Sequence, residues 1–89
     1  MALAAMQVHR GPVEAMLVLP DNGLLVSAST DRTVRVWDYG RGEQVHVWRH
    51  ADEFRALAHR KATSHLLAGT EGGKLVSYPL ADVHDALQR

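Results

Sequence analysis

Gly, Pro, Asn and Asp punctuate a series of short apolar runs along this chain. Val13 to Leu19 is a strand candidate, closed by the strong turn sequence Pro20-Asp21-Asn22-Gly23. Leu24 to Ser29 follows, then a tight Thr30-Asp31-Arg32 connection. Thr33 to Asp38 alternates β-branched and polar residues with the period of two that marks a strand. Tyr39-Gly40-Arg41-Gly42 turns the chain into Glu43 to Arg49, which alternates again through Val45 and Val47. The second half runs the same way but looser. Strands are predicted at Phe54 to His59, His65 to Gly69 and Lys74 to Tyr78. Arg60 to Ser64 and Glu71-Gly72-Gly73 form the turns, and Pro79 is expected to end strand pairing. In the tail, Leu80, Val83, His84 and Leu87 stand at helical spacing and predict a short helix, although ten residues alone make a marginal one.

The two halves are related. His9, Val13, Ser27, Asp31 and Trp37 recur 41 positions later as His50, Phe54, Ala68, Gly72 and Tyr78. The first set is complete and the second worn down.

Composition narrows the chemistry. Eighty-nine residues allow one small domain, and 46% apolar residues are enough to build a core. Ten basic and ten acidic side chains cancel, and no basic run exists to track phosphates, so no nucleic-acid partner is expected. The absence of cysteine removes disulfides and thiolate metal sites. No stretch approaches the roughly 18 apolar residues of a membrane span. The apolar start, Met1 to Met6, lacks a basic flank and is too short for a secretory signal. The expected location is therefore intracellular, cytoplasmic or nuclear.

The string LLVSASTDRTVRVWD, Leu24 to Asp38, together with His9 and the repeat period, resembles a blade of the WD-repeat β-propeller family. The resemblance covers roughly residues 3–79, strongly in the first unit and weakly in the second. It implies an all-β fold of antiparallel four-stranded propeller blades, here a partial propeller. Residues 2–8 would be the outer strand of a preceding or partner blade, 9–49 the first blade, 50–79 an incomplete second blade with three strands, and 80–89 a tail. It also implies a hydrogen-bond tetrad, in which Trp37 donates to Ser27, Ser27 to His9, and His9 to Asp31. Such a relay pairs every buried polar group, and losing one member strands its neighbours at about 1–3 kcal/mol each. Ala68, Gly72 and Tyr78 leave the second blade without three of these members, so it is expected to rely on strand pairing and apolar contacts and to be the softer one.

Other chemistries fare worse. Ser27, His9 and Asp31 are the residue types of a hydrolase triad, but a serine in mid-strand, accounted for by Trp37, offers no exposed nucleophile, and no catalytic residue is expected. His46 and His50 stand four apart, which suits zinc on a helix and not on a strand. His59, His65 and His84 lie in other segments, so neither a metal nor another cofactor is expected. Gly69 to Lys74 lacks the spacing of a phosphate-binding loop.

The resemblance implies a non-catalytic scaffold that binds a protein or peptide on its loop face. The contact candidates flank the tetrad: Arg10, Pro12, Glu14, Thr30 and Arg32 in the first unit, and Asp52, Glu53, Arg55 and Glu71 in the second. Trp48 is either packing or an anchor at the blade edge. Two blades cannot close a ring, so the chain is expected to be a fragment or short product of a larger propeller. The alternative is a unit that self-assembles with copies of itself. A small hydrolase or metal-binding domain is the reading from another class.

Overall fold

The structure is a computed structural model and describes residues 9–20, 23–81 and 83. Among the described residues, seven strands form two antiparallel sheets. The first holds β1 (Val13–Leu19), β2 (Leu24–Ser29), β3 (Thr33–Asp38) and β4 (Glu43–Arg49), in that order. The second holds β5 (Phe54–Arg60), β6 (His65–Thr70) and β7 (Leu75–Pro79). This is the all-β architecture that the strand pattern and the resemblance imply. The expected outer strand at residues 2–8 and most of the tail helix lie outside the described residues. Ala81 and Val83 are helical.

Local chemistry sets the turns. Gly42, at φ 69°, closes the β3–β4 turn by donating its N–H to Asp38 O at 2.8 Å. Asp38 Oδ1 accepts the N–H groups of Gly40 and Arg41 in the same turn. A single 3-10 turn, Lys61–Thr63, joins β5 to β6, with Ser64 left-handed at its end. Pro79 departs from expectation. It is the last residue of β7 and stands opposite His65. A proline fits there because a strand terminus can spare its N–H.

Each sheet begins with the same irregularity. The β1–β2 register shifts between Val13 and Ala15, and the β5–β6 register shifts between Phe54 and Ala56. The extra residues are Glu14 and Arg55, which occupy one repeat position in successive units. A bulge bends its strand and re-aims the side chain it carries.

The sheets meet face to face, with β5 lying along β1 and β2. Leu19, Leu24, Val26, Ala28, Val34 and Val36 of the first sheet pack with Phe54, Leu66 and Ala68 of the second, and Leu80 and Val83 join them. Phe54 is fully buried. Trp48 of β4 stacks on Tyr78 of β7, with ring centroids 4.7 Å apart and planes 15° from parallel. Trp48 is therefore packing and not a free anchor. β2 is buried along its whole length, because its two faces serve different clusters: Leu24, Val26 and Ala28 face the seam, while Leu25 pairs with Trp37 on the other side.

Repeat-equivalent positions are buried unequally. Val34 is 0% exposed in the seam, whereas its counterpart Leu75 is 70% exposed. Met16 and Val18 are each 54% exposed, whereas their counterparts Leu57 and His59 are half-buried. Phe54→Ala should cost about 3–5 kcal/mol in denaturant unfolding. Within the single chain, Leu75 is not enclosed in this way, and Leu75→Ala should cost far less than Phe54→Ala.

Candidate functional site

The tightest polar cluster lies where the loop before β1 meets the β2–β3 turn. Trp37 Nε1–H donates to Ser27 Oγ at 3.0 Å, and the Ser27 hydroxyl donates to His9 Nε2 at 2.7 Å. His9 Nδ1–H donates to Asp31 Oδ2 at 3.0 Å. The direction of the relay follows from its ends: indole can only donate and carboxylate can only accept. His9 and Ser27 are buried, and the ring of Trp37 meets that of His9 edge-on.

The strands position this relay. Ser27 and Trp37 project from the same face of neighbouring strands, and the β2–β3 turn delivers Asp31. Arg32 holds that turn with a positive φ of 72°, and His50 N–H caps it by donating to Arg32 O at 3.0 Å. Asp31 collects more than the histidine. Arg10 N–H donates to Oδ2 at 3.0 Å, Thr33 N–H donates to Oδ1 at 3.0 Å, and the Thr33 hydroxyl donates to Oδ1 as well. Partial burial pushes the carboxyl up. The bonds from Thr33, Arg10 and His9 outweigh it and hold the pKa down at about 2, against an ordinary 3.8.

The second repeat contains a device that the sequence reading missed. Gly72 replaces the tetrad aspartate, yet a carboxylate still ties the entering loop to the turn. It comes from the opposite side. Asp52, at the repeat position of Gly11, accepts Gly72 N–H at 2.8 Å through Oδ2 and Glu53 N–H at 2.8 Å through Oδ1. These two N–H groups hold its carboxyl below the ordinary range. Gly72 makes room for the carboxylate, since a Cβ there would lie 2.8 Å from Asp52 Oδ2, whereas a Cβ on Gly11 would run into the Thr30 hydroxyl of the β2–β3 turn. A backbone bond recurs beside each clamp, Thr30 N–H to Pro12 O at 3.1 Å and Glu71 N–H to Glu53 O at 2.9 Å. This clamp adds to the strand pairing and apolar contacts that hold the second sheet. The signal was the exchange of Gly11 and Asp31 for Asp52 and Gly72, visible only when both positions are compared together. His50 keeps its place, but its Nδ1 accepts Asp52 N–H at 3.2 Å.

Apart from Asp52, which forms the second clamp, the contact candidates fall into two groups. Arg10, Pro12 and Arg32 are exposed and Thr30 is half-buried on the loop side of the first sheet. Glu14, Glu53, Arg55 and Glu71 come together at the seam instead. Arg55 Nη1 lies 2.6 Å from Glu14 Oε1, and Nη2 lies 3.2 Å from both Glu53 Oε1 and Glu71 Oε1. Glu14 and Arg55 are the bulge residues, so the bulges aim opposite charges at one another across the two sheets. Among the described residues, no group of three or more His, Asp or Glu side chains is arranged to hold a metal ion. Also among them, no helix is long and apolar enough to cross a membrane.

Ser27→Ala leaves Trp37 Nε1–H and His9 Nε2 without their partner and should cost about 1–3 kcal/mol in thermal or denaturant unfolding. The Asp31 clamp has a pH signature. Its folded pKa is depressed, so its stabilisation is complete above the ordinary 3.8 and drains away as pH falls toward about 2. Asp31→Asn should flatten the acid limb of a stability–pH profile in that window. Asp52→Ala should speed amide exchange at Gly72 in the β6–β7 turn and leave exchange at Arg10 unchanged.

Comparison with known proteins agrees with this geometry. The model of the family "WD domain, G-beta repeat" matches residues 2–38. The chain is 31% identical over 81 residues to periodic tryptophan protein 2 of Saccharomyces cerevisiae, covering 90% of this chain and 9% of that protein. It is 38% identical over 63 residues to eukaryotic translation initiation factor 3 subunit I of Aspergillus fumigatus, covering 71% of this chain and 18% of that one. The chain thus spans less than a fifth of either relative. Among solved structures, the computationally designed Ika4 protein superposes with a TM-score of 0.69 at 22% identity, over 80% of this chain and 42% of the other. The repeat, the paired sheets and these likenesses place the chain in the WD-repeat β-propeller family.

Proposed function

We propose that the chain is a non-catalytic protein-interaction scaffold, contributing two blades to a larger WD-repeat propeller whose loop face binds a protein or peptide. One observation carries the reading. The face that buries Val34 completely in the seam is repeated on the second sheet, where Leu75 stands 70% exposed. A contiguous apolar sheet face of this kind is a seat for another element, and the seam supplies the pattern of what sits there, another blade. The small share of its relatives that the chain spans supports the same view.

The polar chemistry favours a structural role over catalysis. Ser27 Oγ is buried and already engaged by Trp37 and His9, so it has no path to a substrate. The loop side offers exposed Arg10, Pro12 and Arg32 on a rigid support, the arrangement by which loops on a fixed scaffold recognise partners. A relative that is a subunit of a translation initiation factor supports an intracellular setting and membership of an assembly.

Affinity capture followed by mass spectrometry tests the loop face. Arg10→Glu combined with Arg32→Glu should lose the proteins that the parent chain captures while keeping its melting temperature. Capture that survives this charge reversal overturns the assignment of the loop face.

A further inference from the structure

The open faces of the two sheets are the two halves of one interface, already made once inside the chain. At the inner seam, the first sheet contributes Ala15, Leu17, Val26 and Val34. The same repeat positions on the outer face of the second sheet hold Ala56, Ala58, Leu67 and Leu75. The second sheet contributes Leu57 and Leu66 to the seam, and the matching positions on the first sheet hold Met16 and Leu25, with Met16 and Val18 in the open. The chain therefore carries a tail face on its second sheet and a head strip on its first, related as the two sides of the seam are related.

Charge selects the occupant. At the inner seam, Glu14 of the first bulge pairs with Arg55 of the second at 2.6 Å. At an outer seam between copies the same two repeat positions meet with their roles exchanged. Arg55 of one copy takes the place of Glu14, and Glu14 of the next takes the place of Arg55. Arg55, which already holds Glu14, Glu53 and Glu71 of its own chain, would then stand between two copies of Glu14, so opposite charges alternate around a ring built from this chain.

Resting on the propeller reading above, the geometry points to a second copy of this chain as the occupant, docked head to tail, with the tail face around Leu75 against the head strip of Met16 and Val18. Such a contact is heterologous, and heterologous contacts close into rings when the rotation allows. Propellers of about 4–8 blades correspond to about two to four copies of a two-blade chain.

Light scattering of the purified chain and two variants decides the matter. Met16→Glu blocks the head and Leu75→Glu blocks the tail, and neither residue belongs to the inner core. The parent should give one discrete species at a whole multiple of 9.8 kDa. Each variant alone should fall to the single-chain mass with its β circular dichroism intact. Mixed together, the variants should form a two-chain species and stop there, because one intact tail meets one intact head. Homodimers of Leu75→Glu, or a mixture that stays monomeric, overturn head-to-tail docking, and unlimited growth of the parent overturns closure. A folded parent monomer also overturns the copy as occupant. In that case dye binding separates the two readings. If the parent binds anilinonaphthalene sulfonate and Met16→Glu and Leu75→Glu reduce that binding, the faces are open to other blades and the larger-propeller reading stands. If the parent monomer binds no dye, that reading falls too.

Discussion

The seam between the two sheets is the constraint on which the rest depends. An antiparallel sheet with apolar residues on one face has to bury that face against something, and here the burial is mutual. Phe54 sits at the centre of this arrangement because it begins β5 and is wholly enclosed. The Trp48–Tyr78 stack closes the outer side of the seam, and the Glu14–Arg55 pair lies at the bulges that begin β1 and β5. The exposed ion pair adds little energy, since pairs of this kind are worth about 0–1 kcal/mol. Its contribution is register, because only one alignment of the sheets brings the bulges together.

Strand positions were legible in the sequence to within about a residue, because alternation, turn residues and repeat period all pointed the same way. The four strands of the first sheet fall where the pattern puts them, from Val13–Leu19 to Glu43–Arg49. The second sheet drifts by one residue at four strand boundaries, where Arg60, Thr70 and Pro79 extend their strands and Lys74 drops out of the last one. Backbone bonding decides those ends, and side-chain pattern does not report it. Pro79 shows why: its side chain signals a break, while its carbonyl and position still suit the last rung of a ladder.

The polar architecture was legible in one repeat and hidden in the other for a specific reason. In the first unit the relay depends on residue types that are rare together, so His9, Ser27, Asp31 and Trp37 announce themselves. In the second, the requirement is only that some carboxylate bridge the loop and the turn. Asp52 meets it from the loop, facing a glycine, as Asp31 meets it from the turn, with Gly11 nearby. Position-by-position comparison records two losses, whereas the structure shows one displacement. What the second unit gives up is the inner part of the relay. With Ala68 in place of Ser27, the space beneath His50 is apolar, and the ring of Phe54 lies 5.7 Å from that of His50.

The bulges set the two repeats apart from one another. At the seam between the two sheets the bulge position of one repeat faces that of the other, so identical repeats would set like charges against each other there. At partly exposed positions such repulsion is modest, on the scale of the pair itself. Alternating Glu14 and Arg55 removes that conflict with the smallest possible period. The divergence of the second repeat is thus not only decay. It loses the serine, the tryptophan and the turn aspartate, and it holds the charge that meets Glu14 of the first repeat.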